Sequence, residues 1–154
     1  MKAVIQRVES ASVTADGRKA GSCGRGFLVL VCAVKGDTDG DARLLARKTA
    51  ALRVFSDENG KMNKSLLDVG GEILAVSQFT LCADVKKGNR PSFTYAMEPE
   101  KAKELCELFC GELESLGVKR VEKGVFGADM RVTLVNDGPV TIMFDTAVWR
   151  KNGN

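Results

Sequence analysis

Two short segments carry the residues best suited to chemistry. Ser77-Gln78-Phe79-Thr80-Leu81 sets two hydroxyls, a carboxamide and an aromatic ring directly after the apolar run Ile73-Leu74-Ala75-Val76. Asn136-Asp137-Gly138-Pro139-Val140-Thr141 breaks a second β-rich region with a Gly-Pro pair. A serine or threonine hydroxyl is a weak nucleophile until a neighbouring base takes its proton. The chain has no histidine, which removes Ser-His-Asp chemistry, and neither Ser77 nor Thr80 sits in a Ser-x-x-Lys pattern. Two uses stay open for these hydroxyls. They hydrogen-bond a substrate or shape an oxyanion-binding backbone, or they merely decorate the end of a strand. Pro139 lacks an N–H and fits a central strand poorly. Gly138-Pro139 is therefore either an ordinary turn or a rigid element, cis peptide included, that offers carbonyls to a ligand. Lys86-Lys87-Gly88-Asn89-Arg90-Pro91 follows the first segment closely. Arg90 can pair bidentately with phosphate while Lys86 and Lys87 act as point charges; charge alone fits a solvated loop equally well.

Composition bounds what these segments can belong to. A chain of 154 residues suits one domain, expected over 1–148 with a frayed tail at 149–154. With 44% hydrophobic residues it can bury a core without staples. A net charge of +3 neither demands nor excludes nucleic acid. The five cysteines are odd in number and form no Cys-x-x-Cys pair, which reads as a reduced cytoplasmic protein with buried thiols. Without histidine or paired thiol spacing, no metal is expected, and no cofactor either. No stretch approaches the ~20 apolar residues of a membrane span, and Met1 to Arg7 reads as a strand, not as a signal-peptide core.

The elements that must position the two segments can be placed. Residues 2–8 and 10–14 are β-rich, and Asp16-Gly17 signals a hairpin. Phe27 to Val34 is apolar throughout and predicts a central strand buried on both faces. A helix capped near Asp37, Thr38 or Asp39 follows, with Ala42, Leu45, Thr49 and Leu52 on one face. The next strand is expected to run from 72 to 81, followed by a loop from Cys82 to Tyr95. A second helix starts near Pro99, its stripe being Ala102, Leu105, Cys106, Phe109, Leu113 and Leu116, and Gly117 ends it. Two strands are expected near 130–136 and 139–145. Hairpins mixed with two isolated helices predict an α+β fold, a mixed, largely antiparallel sheet curled toward a barrel with two main helices.

Taken together, the two motifs resemble the D-aminoacyl-tRNA deacylase family in its bacterial and eukaryotic form. That family carries Ser-Gln-Phe-Thr-Leu, matched at 77–81, and Asn-x-Gly-Pro-Val-Thr, matched at 136–141. Ile5-Gln6-Arg7-Val8, Gly60-Lys61-Met62-Asn63, Arg90-Pro91-Ser92-Phe93 and Phe126-Gly127-Ala128-Asp129-Met130 also resemble it, in order along nearly the whole chain. The residues past Asp145 exceed the family pattern. The resemblance implies hydrolysis of the ester between a D-amino acid, or glycine, and the terminal adenosine of tRNA. It implies a homodimer with active sites at the interface, and a cis Gly138-Pro139 of one subunit reaching into the other's pocket to exclude L side chains. Ser77, Gln78 and Phe79 would then bind the aminoacyl group and adenosine, partly through backbone amides. Phe79 and Thr80 would line the catalytic end, Met130 the pocket wall, and Arg7 would brace the Gly-Pro element. Lys86, Lys87 and Arg90 would meet the tRNA backbone. The 2′-hydroxyl of the tRNA's own ribose would assist the reaction in place of a side-chain base. Two other readings accompany this one: a related deacylase of relaxed chirality, whose motifs differ where this chain keeps Phe79 and Val140, and a non-catalytic tRNA-binding module.

Overall fold

In the computed structural model, which describes residues 1–150, a mixed sheet nearly closes into a barrel around one of its two packed cores. Strands β1 (Lys2–Ala15) and β2 (Arg18–Cys23) form a hairpin across Asp16 and Gly17. Both turn residues have positive φ, 51° and 74°, as a two-residue turn matched to strand twist requires. β3 (Gly26–Cys32) runs antiparallel to β1 and is buried on both faces, as its unbroken apolar sequence demands. Helix α1 (Asp39–Ala50) then crosses over; Thr38 caps it, and Ala42, Leu45 and Thr49 face inward. A ribbon of β4 (Phe55–Ser56) and β5 (Met62–Lys64) and the short α2 (Leu66–Val69) lead into β6 (Glu72–Ser77), parallel to β3. A 3-10 turn (Phe79–Cys82) and a long loop precede α3 (Pro99–Ser115), and β7 (Val121–Lys123) returns parallel to β6. β8 (Met130–Asp145) pairs along the whole of β1, and α4 (Thr146–Arg150) ends the described chain.

The parallel pairs need crossovers, and α1 and α3 supply them. Leu45, Leu105, Phe109 and Leu113 from these helices are fully buried with Phe27, Phe55 and Ile73. Each such side chain contributes roughly 1.5–3 kcal/mol of transfer free energy. β2 approaches β7 from the far side of the sheet: the Ser22 N–H donates to the Glu122 carboxylate at 3.2 Å. Gly21 passes so near that a Cβ there would lie 2.7 Å from the Lys123 carbonyl oxygen.

Three expectations change. β6 ends at Ser77 and not at Leu81. Its neighbour β3 ends at Cys32, Val31↔Ser77 is the last pair, and the Gln78 N–H closes the ladder on the Val31 carbonyl at 2.8 Å. With no strand left to pair, the backbone tightens into the 3-10 turn. The two strands expected near 130–136 and 139–145 are one, β8, interrupted only in register. Finally, Trp149 and Arg150 do not fray: Trp149 stands edge-on to Phe144 with ring centroids 5.0 Å apart. Arg150 pairs with Asp37 at 2.9 Å and with Asp41 at 3.1 Å, while Asp37 also holds the Met1 ammonium at 2.8 Å. Residues 151–154 of the expected tail lie outside the described residues. No helix among the described residues is long and apolar enough to cross a membrane.

Candidate active site

The end of β6 opens onto two cavities. The larger, about 470 Å³, is bounded by Ser77, Gln78 and Phe79 on one side and by Phe93, Met97, Ala102 and Phe126 on others. The smaller, about 280 Å³, shares Ser77, Gln78, Phe79 and Phe126 and continues to Met130 and Val132 on β8. The strand-to-turn transition places three consecutive residues between two hollows, which a continued strand would not have done. Phe79 is 59% exposed and makes an edge contact with Phe93, ring centroids 5.0 Å apart. An aromatic ring left this open beside a concave apolar wall is suited to packing against a ligand.

Thr80 is exposed, and its hydroxyl accepts a hydrogen bond from the Gln78 carboxamide. That bond engages no base, so nothing here draws the proton from Thr80. Thiols are the other nucleophiles near the cavity, since Cys32 and Cys106 line it. Burial pushes the Cys106 thiol up to about 11, with Glu107 adding to the effect. Burial likewise raises the Cys32 thiol, which sits with its sulfur 2.7 Å from that of Cys82. Both are protonated at neutral pH and poor nucleophiles.

Gly138 and Pro139 lie elsewhere on this chain and line neither cavity. Gln6 pairs with Thr141 and Val8 with Asn136, so Asp137 to Val140 stand opposite Arg7 alone. Four residues against one push this stretch out of the sheet as a bulge. The Gly138-Pro139 peptide is cis, Gly138 has φ of 133°, and both residues are exposed. Arg7 holds the base of the bulge: its Nε donates to the Asp137 carbonyl at 3.0 Å and lies 3.3 Å from the Asp137 carboxylate, and its Nη1 donates to the Val54 carbonyl. At Gly138 a Cβ would meet the Val140 nitrogen at 2.9 Å and Arg7 Nη2 at 3.2 Å, so only glycine fits there without displacement.

β8 around the bulge has no fully buried residue. Val132 and Met143 are exposed by 37% and 80%, and Val135, on the other face of the strand, by 49%; Val132 also lines the smaller cavity. The bare face of β8 is thus continuous with the site. Lys86, Lys87 and Arg90 are exposed on the loop after the 3-10 turn, and none of them lines either cavity. Among the described residues none of the three is ion-paired. Sequence reasoning did not reach Met97 and Phe126 as cavity walls and assigned Ala102 and Cys106 to the core. The stripe of α3 is a core stripe whose N-terminal edge overhangs the cavity, and periodicity does not separate the two environments.

A nearly closed mixed barrel with an aromatic-walled site at one strand end, lined also by Lys35 and Glu98 and lacking a histidine, defines the class of protein. The D-Tyr-tRNA(Tyr) deacylase family matches over residues 4–145. A D-aminoacyl-tRNA deacylase of Roseiflexus castenholzii is 56% identical over 154 residues, covering 100% of this chain and 98% of its own. One of Thermomicrobium roseum is 57% identical over 150 residues, with 97% of each chain covered. A solved structure titled c-Myc DNA Unwinding Element Binding Protein superposes with a TM-score of 0.88 at 45% identity, over 94% of this chain and 98% of that one. A probable eukaryotic D-amino acid tRNA deacylase shares the fold, with a TM-score of 0.78 at 20% identity over 93% and 97%. The chain belongs to the D-Tyr-tRNA(Tyr) deacylase family.

Proposed function

We propose that this protein hydrolyses the ester joining a D-amino acid to the 3′ end of tRNA, working as a homodimer whose two sites are each built from both subunits. The observation that carries the reading is the separation of the two motifs. Ser77 to Phe79 lie between the cavities, whereas Gly138-Pro139 is exposed on a bulge that lines neither. A second copy docked through the bare face of β8 would bring its bulge to the first copy's Phe79.

The terminal adenine suits the larger cavity, whose Phe93, Met97 and Phe126 offer apolar area for a base. The ester would lie against the Ser77–Thr80 backbone, where the amide N–H groups past Gln78, whose own is taken by the Val31 carbonyl, can stabilise the developing oxyanion. Ser77 and Gln78 would hold the aminoacyl group, and Met130 would close the smaller cavity behind it. With Thr80 bonded only to Gln78, the 2′-hydroxyl of the terminal ribose is the better placed assistant, and the protein supplies position and electrostatics. The partner's Gly-Pro bulge would select chirality sterically, as a backbone wall that clashes with an L side chain. Glycine has no side chain to exclude, so glycyl-tRNA would also be cleaved. Lys86, Lys87 and Arg90 would attract the tRNA phosphates.

The test is hydrolysis of D-Tyr-tRNA and L-Tyr-tRNA side by side. Cleavage of the D ester much faster than the L ester is expected. Equal rates would point to a deacylase of relaxed chirality, and tight binding without turnover to a tRNA-binding module.

A further inference from the structure

A third cavity, about 350 Å³, lies on the other side of a wall that it shares with the large one. The wall is two short segments joined by an isolated antiparallel bridge, Val34↔Ala96, and by the Lys35 N–H donating to the Tyr95 carbonyl at 2.9 Å. Lys35 and Ala96 line the large cavity, while Val34 and Tyr95 line the third. The other walls of the third cavity include Lys2, Asp84, Val85 and Lys86.

The chemistry of this lining is that of a nucleotide site. Tyr95 and Val85 are 56% and 61% exposed, two apolar surfaces left open on one hollow. Neither Lys2 nor Lys86 has an ion-pair partner among the described residues, so both ammonium groups are available to phosphate. Asp84 lines the hollow; its Oδ1 accepts the Lys86 N–H at 2.9 Å, and its Oδ2 has no hydrogen-bond partner among the described residues. A carboxylate oxygen in that position can accept the exocyclic amine of cytosine and cannot pair with the carbonyl of uracil. The volume is within the range of small-molecule sites.

We infer that this cavity binds the nucleotide preceding the terminal adenosine, a cytidine in the single-stranded CCA end of every tRNA; the inference rests on the deacylase reading. The base stacks on Tyr95 against Val85, Asp84 reads its amine, and Lys2 and Lys86 hold its phosphates. One strand-thick wall then separates two successive nucleotides, the adenosine in one hollow and the cytidine in the next.

The test compares D-tyrosyl-adenosine with D-tyrosyl esters of the trinucleotides CpCpA and CpUpA. The wild-type protein should favour CpCpA over both. Base stacking on an aromatic side chain is worth ~1–3 kcal/mol, so Tyr95→Ala should raise KM for the CpCpA ester by about 5- to 150-fold. It should leave kcat/KM for the adenosine ester unchanged, which also reports an intact fold. Tyr95→Phe should retain the trinucleotide advantage, and Asp84→Asn should erase the preference for CpCpA over CpUpA. Equal losses on the adenosine and CpCpA esters would make Tyr95 a support of the catalytic cavity and overturn the inference. So would an unchanged KM for CpCpA. Failure of the wild-type protein to cleave any of the three esters, or D-Tyr-tRNA, would instead overturn the deacylase reading, and this inference with it.

Discussion

The segments 77–80 and 136–141 carry the same kinds of residue, small, polar or conformationally special, yet the fold uses them in opposite ways. The first follows β6, a strand of four buried residues in six, and ends in a turn between two cavities. The second sits midway along β8, a strand with no fully buried residue, and is pushed outward by a four-against-one mismatch with β1. The first borders two hollows, and the second projects where it lines neither of them. Rigid supports make both precise: the parallel ladder with β3 fixes the first, and Arg7 clamps the second to Val54 and Asp137. In the homodimer proposed above, a complete site would combine two copies, each presenting its half beside a strand with no fully buried residue.

The comparison can be broken most forcefully at Gly138. Gly138→Ala adds a Cβ at 2.9 Å from the Val140 nitrogen in a backbone of positive φ and must displace the bulge. Misplacement of a positioning element by about 1 Å can cost on the order of 100-fold in rate, so hydrolysis of D-Tyr-tRNA should fall by that amount. Phe79→Ala, in the other motif, should be similarly defective. If the proposed homodimer shares its sites, mixtures of Phe79→Ala and Gly138→Ala chains should nevertheless regain activity, because one of the two sites of a mixed dimer would combine two intact halves. Mixed dimers as inactive as either parent would show that each chain builds its site alone.

Thr80→Ala sharpens the first half of the comparison with a smaller effect. If Thr80 positions the substrate, kcat should stay within about 10-fold of wild type, whereas removal of a true nucleophile costs ~10⁴-fold or more. Single-turnover rates measured beside tRNA binding decide between these.

The smallest effect is expected far from both motifs. Asp41 is buried, which by itself would raise its carboxyl. Hydrogen bonds from the Thr38 backbone and the Thr146 and Thr38 side chains, with the Arg150 charge, outweigh burial and hold it below the usual carboxylate range. A folded-state value below the unfolded one means that the ionised form stabilises the fold, and that this contribution is lost as pH falls through the folded value. Asp41→Asn should therefore lower stability at neutral pH by about 1–3 kcal/mol. The gap between variant and wild type should close on acidification below the unfolded value of about 3.9. Denaturant melts at pH 7 and pH 3 measure it, and a gap that widens in acid would contradict the sign. Activity per folded molecule should not change, which separates loss of fold from loss of either motif.

Much of the molecule was legible in order of residues. The unbroken apolar run of β3, the Asp16-Gly17 hairpin, the Pro99 start of α3 and its stripe through Leu113 all follow from periodicity and local backbone preference. The site residues were legible as types, because hydroxyls and a Gly-Pro pair stand out against β-rich surroundings. Their roles were less so. Where β6 stops, at Ser77, depends on where β3 stops, at Cys32 far earlier in the chain, in a register no local pattern encodes. That Asp137 to Val140 bulge without ending β8 depends on β1 continuing past them, and the third cavity joins Lys2, Val34, residues 82–86 and Tyr95, far apart in the chain.

By itself, then, the sequence determined the N-terminal hairpin, the buried central strand, the two long helices with the faces they bury, and the absence of a histidine base, since these are matters of side-chain chemistry and short-range backbone geometry. Only the tertiary structure decided that one motif becomes a hollow and the other a projection. Both have the same local freedom, and the difference is set by which distant strand supplies, or fails to supply, their hydrogen-bond partners.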